Sequence, residues 1–95
     1  MEFDPRSGFL FPTNGEPKPI APPKNGKDYS LEECQAMVDG YIEVALRVTV
    51  EGVKMIVLVN EEGLIENLPY NPAASLMCGM DLVGPVAVIP GKMFK

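Results

Sequence analysis

Tyr41-Ile42-Glu43-Val44-Ala45-Leu46-Arg47-Val48-Thr49-Val50 alternates apolar and polar residues along its length. A strand's side chains alternate between two faces, so Ile42, Val44, Leu46, Val48 and Val50 are expected on one face, with Tyr41, Glu43, Ala45, Arg47 and Thr49 on the other. Glu51-Gly52 follows as the hairpin turn, and the next run, residues 53–59, is apolar except for Lys54. Because Ile56 and Leu58 oppose Val57 and Val59, this second strand needs cover on both faces. It belongs in the middle of a sheet or beneath a partner chain.

Downstream, Asn60-Glu61-Glu62-Gly63 reads as a second turn and Leu64-Ile65-Glu66-Asn67-Leu68 as a short returning strand, ended by Pro69. Asn71-Pro72 sets an N-cap side chain before a proline at the first helical position, where the missing N–H costs nothing. A short helix over about 72–78 is expected, stopped by Gly79, and residues 85–90 supply a last strand between two prolines. Upstream, Ser30-Leu31-Glu32-Glu33 is a capping box. Leu31, Cys34, Met37 and Val38 form an apolar stripe at helical spacing, with Tyr29 as a hydrophobic staple on Cys34 and Gly40 as the stop.

The first 23 residues hold six prolines, which remove ladder donors and fix φ. Phe9-Leu10-Phe11 is still apolar enough for a short strand, with Lys18-Pro19-Ile20 returning along an edge after the turn at Pro12-Thr13-Asn14-Gly15. The expected architecture is α+β: an antiparallel sheet built on a meander of about three strands, extended by terminal strands, with two short helices. Residues 1–8 are expected to form a flexible N-terminal arm and residues 9–95 a single domain, since 95 residues suffice for one modest core.

Composition narrows the chemistry. The chain has no histidine, which removes Ser-His-Asp and Cys-His catalysis, and its two cysteines, Cys34 and Cys78, are far apart and lack zinc spacing. Both are expected to be small buried apolar residues, and no catalytic residue, metal or cofactor is expected. The net charge is −5, and between residues 28 and 81 ten acids face two bases, Arg47 and Lys54. An acidic body repels phosphate backbones, so conventional nucleic-acid binding is not expected. No apolar run approaches the roughly 20 residues that a membrane-spanning helix needs. The opening Met1-Glu2-Phe3-Asp4-Pro5-Arg6 carries acids where a secretory signal carries bases, so the expected location is the cytoplasm.

Three segments also carry a resemblance: Ser30-Leu31-Glu32-Glu33 running to Gly40-Tyr41-Ile42-Glu43-Val44, then Val59-Asn60-Glu61-Glu62-Gly63, then Leu68-Pro69-Tyr70-Asn71-Pro72-Ala73-Ala74. In order and spacing the chain resembles the DUF3846 family of small proteins from phages, plasmids and bacteria, over roughly residues 9–90. The resemblance implies a mobile-element or bacterial setting and brings no catalytic residues with it.

Candidate contacts are few. Glu43, Glu61, Glu62 and Glu66 could stack as paired carboxylates, although acids at turns are more often simply solvated. Tyr41 and Glu43 follow a helix end, and Asn60, Glu61 and Glu62 form a turn. Asn71 opens the second helix, where ligands often meet oriented backbone donors. Tyr41, Glu43, Asn60, Glu61, Glu62 and Asn71 are therefore the candidate ligand or partner contacts, each with a structural alternative as strand, turn or cap residue.

The leading reading is a non-enzymatic interaction or modulator protein acting on a host or element-encoded protein. A second is an acidic anti-restriction, DNA-mimicking inhibitor, for which a net of −8 over residues 28–81 is thin. The third is a small ligand-binding domain or enzyme using Glu43, Asn60 and Asn71. A homodimer is also expected, through a sheet face carrying Tyr41, Ala45, Ile56 and Leu58, with the segment of Phe9, Leu10 and Phe11 as the rival cover for that face.

Overall fold

The computed structural model describes residues 8–94. The hairpin expected from the alternating run is present and forms one side of the sheet. Strand β3 (Ile42–Val50) pairs antiparallel with β4 (Val53–Asn60). Glu51 (φ 50°) and Gly52 (φ 82°) both take the left-handed conformation that a tight two-residue hairpin demands.

The other edge of β4 is taken by β5 (Val86–Pro90), with β1 (Phe9–Phe11) beyond it and β2 (Lys18–Pro19) outermost. The sheet order is β2-β1-β5-β4-β3, and each of its pairings is antiparallel. This corrects the expected three-strand meander, because residues 61–67 form turns and not a returning strand. The cause is competition for one edge. A strand at 64–68 would have to displace Val86, Ala87, Val88 and Ile89, each of which is buried beside β4 or β1. Burial of such side chains is worth about 1.5–3 kcal/mol each, whereas Leu64 and Ile65 lie outside.

Two helices cover opposite faces. Helix α1 (Leu31–Val38) places Cys34 and Val38 with Tyr29, Ile56, Leu58, Ala87 and Ile89. Helix α2 (Pro72–Cys78) covers the side of Phe9, Phe11, Val57, Val59, Val86 and Val88 through Ala74. The strand order makes β4 internal, flanked by β5 and β3, as its two apolar faces require, while the middle position of the sheet belongs to β5.

The register between β3 and β4 slips between Val44 and Leu46, leaving Ala45 as the extra residue of a β-bulge. Ile42 and Val44 pack toward α1, but Ala45, Leu46, Val48 and Val50 pack toward α2. The single apolar face expected for residues 42–50 is thus split in two. The surface expected to form a homodimer is split with it: Ile56 and Leu58 are buried under α1, and Ala45 lies on the other side of the sheet. Phe9–Phe11, the rival cover, is an internal strand. The boundary of the expected arm moves as well, because the Gly8 carbonyl already accepts from the Ile20 amide at 2.8 Å. The rest of that arm, residues 1–7, lies outside the described residues.

Helix ends follow their local signals. Ser30 Oγ accepts from the Glu33 amide at 3.1 Å, and the Glu33 carboxylate accepts from the amides of Ser30 at 2.8 Å and Lys24 at 3.1 Å. The left-handed residue that ends α1 is Asp39 (φ 59°), not Gly40. Gly40 is needed for another reason, since a β-carbon there would lie 2.5 Å from the Asn60 side-chain nitrogen. Among the described residues no helix is long and apolar enough to cross a membrane.

The bonds to Glu33 have a pH consequence. The Ser30 amide first, and the Lys24 amide second, hold its carboxyl below the usual carboxylate range. A group whose folded pKa is depressed stabilises the fold fully above its unfolded value, about 4.3 for glutamate, and loses that contribution as pH falls through the lower folded value. The melting temperature of the wild type should therefore fall more steeply from about pH 5 to pH 3 than that of Glu33→Gln, which keeps the capping geometry without titrating. Parallel melting curves for the two proteins over that range would show that Glu33 contributes nothing.

Candidate functional site

The start of β3 and the end of β4 lie side by side, with Ile42 opposite Asn60 and Glu43 opposite Val59. That register gathers five of the candidate contacts, Tyr41, Glu43, Asn60, Glu61 and Glu62, at one end of the sheet. Beyond β4 the chain winds through residues 61–67, closed by Gly63 N–H to the Asn60 carbonyl (3.1 Å), Glu66 N–H to the Glu62 carbonyl (2.8 Å) and Leu68 N–H to the Gly63 carbonyl (2.9 Å). A β-carbon on Gly63 would lie 2.9 Å from a Val83 methyl, so this loop sits tightly on the segment before β5.

Asn60 anchors the loop to α1. Its amide nitrogen donates to the carbonyls of Val38 (3.2 Å) and Asp39 (3.3 Å), and its side-chain oxygen accepts from the Glu62 amide (2.8 Å). On the far side, the Leu82 amide donates to Ser75 Oγ at 2.8 Å and the Ser75 hydroxyl donates to the Leu82 carbonyl at 3.2 Å. This exchange pins residues 80–83 to α2.

Between these two anchored segments runs a groove of about 630 Å³. Glu43, Glu61 and Asp81 supply its carboxylates, while Leu64, Ile65 and Met80 supply apolar surface. Leu64 and Ile65 are 82% and 83% exposed, although both are large aliphatic side chains at adjacent positions. Met80 and Asp81 also border a shallower depression that includes Tyr70 and Leu76, so exposed apolar surface continues toward α2. A smaller depression nearby holds Tyr41, Glu62 and Glu66.

The four glutamates considered together are therefore divided, with Glu43 and Glu61 on one groove and Glu62 and Glu66 on the other. Among the described residues no group of three or more Asp, Glu, Cys or His side chains is placed to hold a metal ion. Asn71 is separate from this end. It is fully buried, accepts from the Ala74 amide at 3.1 Å and donates to the carbonyls of Phe11 and Gly84, both at 2.8 Å. Its polar atoms are engaged in joining β1, α2 and the turn before β5.

Leu64, Ile65, Met80 and Asp81 were not singled out by the sequence. The available signal was the adjacency of Leu64 and Ile65 just after Glu61-Glu62-Gly63, a pattern without strand alternation. Elsewhere, Cys34 faces the sheet from α1 and Cys78 packs against the opposite cluster, with the sheet between them. Burial pushes both thiols up from their ordinary value, which disfavours the reactive thiolate.

A family model described as "Domain of unknown function (DUF3846)" matches residues 10–92. No curated protein matches the chain. No solved structure matches it either.

Proposed function

Since the chain belongs to the DUF3846 family, whose description assigns no activity, we propose from the site itself that it is a non-catalytic interaction domain for a basic, amphipathic segment of a protein partner. The observation that carries this reading is the pair Leu64 and Ile65, held outward on a well-bonded loop beside Glu43, Glu61 and Asp81. Leaving two such side chains in water forfeits about 1.5–3 kcal/mol each relative to burial. Folding does not recover that energy, but a partner that covers them does. Carboxylates around apolar anchors select lysine- and arginine-bearing partners and repel acidic ones.

In this reading the partner is a protein of the host or of the phage or mobile element that encodes the chain. The separated thiols fit a reducing, cytoplasmic setting. The DNA-mimic alternative is less well supported, because apolar side chains interrupt the carboxylates here and the acids divide between two depressions. The ligand-binding alternative loses much of its support too, since Asn60 and Asn71 are engaged with backbone groups.

Affinity capture from the producing cell with wild type and with Leu64→Asp/Ile65→Asp tests the reading. Proteins retained by the wild type and enriched in basic surface should be lost by the double variant, and should elute as salt is raised. Retention of the same proteins by both would overturn it.

A further inference from the structure

The opposite end of the β3–β4 hairpin carries the opposite charge. Arg47 and Lys54 are the only two bases between residues 28 and 81, and the fold brings them together. Arg47 pairs with Ile56 and Thr49 with Lys54, so Arg47 and Lys54 are diagonal neighbours on one face of the ladder, about 7 Å apart by strand geometry. A 3-10 turn, Gly91–Met93, follows β5 and rests on the same end of β4, where a β-carbon on Gly91 would lie 3.4 Å from the Lys54 carbonyl. It delivers Lys92 as the third cation.

These residues line a groove of about 720 Å³, together with the Thr49 hydroxyl and apolar groups of Ile56 and Pro90. No carboxylate lines it. Three exposed cations line this groove in a chain of net charge −5, with no acid among the lining residues, so an anion seated there meets favourable charge.

We propose that this groove binds the phosphate groups of a small ligand. The charge count favours phosphate over carboxylate, because a single carboxylate would neutralise one of three cations, whereas a di- or triphosphate matches them all. The geometry of donors agrees. Arginine's planar fork engages two phosphate oxygens at once, the lysines act as point charges, and threonine adds a hydroxyl donor. The volume lies within the range of small-molecule sites. A long polyanion is disfavoured, because the acidic body beyond the hairpin would repel the rest of it. The inference is independent of the interaction site proposed above, which lies at the other end of β3 and β4.

The test is isothermal titration calorimetry of the full chain with sodium tripolyphosphate and with ADP at about 50 mM salt, where screening is modest. Saturable one-to-one binding is expected, weakened about tenfold or more in Arg47→Gln/Lys54→Gln and little changed in the charge-matched control Lys18→Gln/Lys27→Gln. Circular dichroism checks that each variant folds. Lys92→Gln, which leaves the strands untouched, should weaken binding in the same direction and stands in if the double variant does not fold. Absence of saturable binding by the wild type at millimolar probe, or equal loss in the control, would overturn the proposal. So would binding of a 20-base-pair duplex that depends on Arg47 and Lys54 where the small phosphates do not bind.

Discussion

Asn71→Ala is expected to destabilise the protein strongly and to lower its urea midpoint well below that of the wild type. The substitution removes one acceptor and two donations at once, leaving the Ala74 amide and the carbonyls of Phe11 and Gly84 without their side-chain partner at a fully buried position. Each stranded buried group costs about 1–3 kcal/mol. A combined loss of about 3–5 kcal/mol is a large share of the 5–15 kcal/mol that holds a typical domain together. Asn71→Asp should be at least as damaging, because it keeps the acceptor for Ala74 but sets a carboxylate against two carbonyl oxygens. Urea unfolding followed by circular dichroism checks both variants. A midpoint close to that of the wild type would mean that Asn71 does not join β1, α2 and the turn at Gly84 as described.

Leu58→Asp should be the most damaging single change on the α1 side of the sheet. Leu58 is fully buried, paired with Val44 across one ladder and Ala87 across the other, in the cluster that α1 covers. The side chains of that cluster are apolar, so the new carboxylate would be desolvated among them. Such substitutions belong to the small class that exceeds about 4 kcal/mol. Expression in soluble form with a cooperative melt near that of the wild type would place Leu58 on an open face, as the sequence reading of a dimer surface supposed.

The difference between that reading and the fold lies in which signals are local. The capping box at Ser30 and Glu33, the turn at Glu51-Gly52, and the Asn71-Pro72 start of α2 depend on residues within a turn of one another, and each is found where the sequence placed it. The internal position of β4 was legible because both of its faces are apolar. The bulge at Ala45 was not, because Val44 and Leu46 are both apolar and the alternation passes through the slip unbroken.

Long-range pairing was hidden for a different reason. The capture of the β4 edge by β5 is decided by comparing residues 64–68 with residues 86–90, and both runs hold apolar residues in strand-like lengths. The buried bonds of Asn71 reach partners 60 and 13 positions away, beyond any local pattern. At the candidate site the sequence found Tyr41, Glu43, Glu61 and Glu62 but missed Asp81 and assigned Leu64 and Ile65 to a strand. It therefore hid inside the fold the two side chains that most distinguish this surface.

The central claim is that Leu64 and Ile65 are presented for recognition and take no part in holding the fold. Thermal unfolding of Leu64→Asp/Ile65→Asp tests it most directly, without requiring a partner. Each exposed position tolerates substitution within about 0.5 kcal/mol, so a melting temperature within about 8 °C of the wild type is predicted for the double variant. A fall of more than about 10 °C would mean that both side chains are packed inside the domain, and would contradict the account.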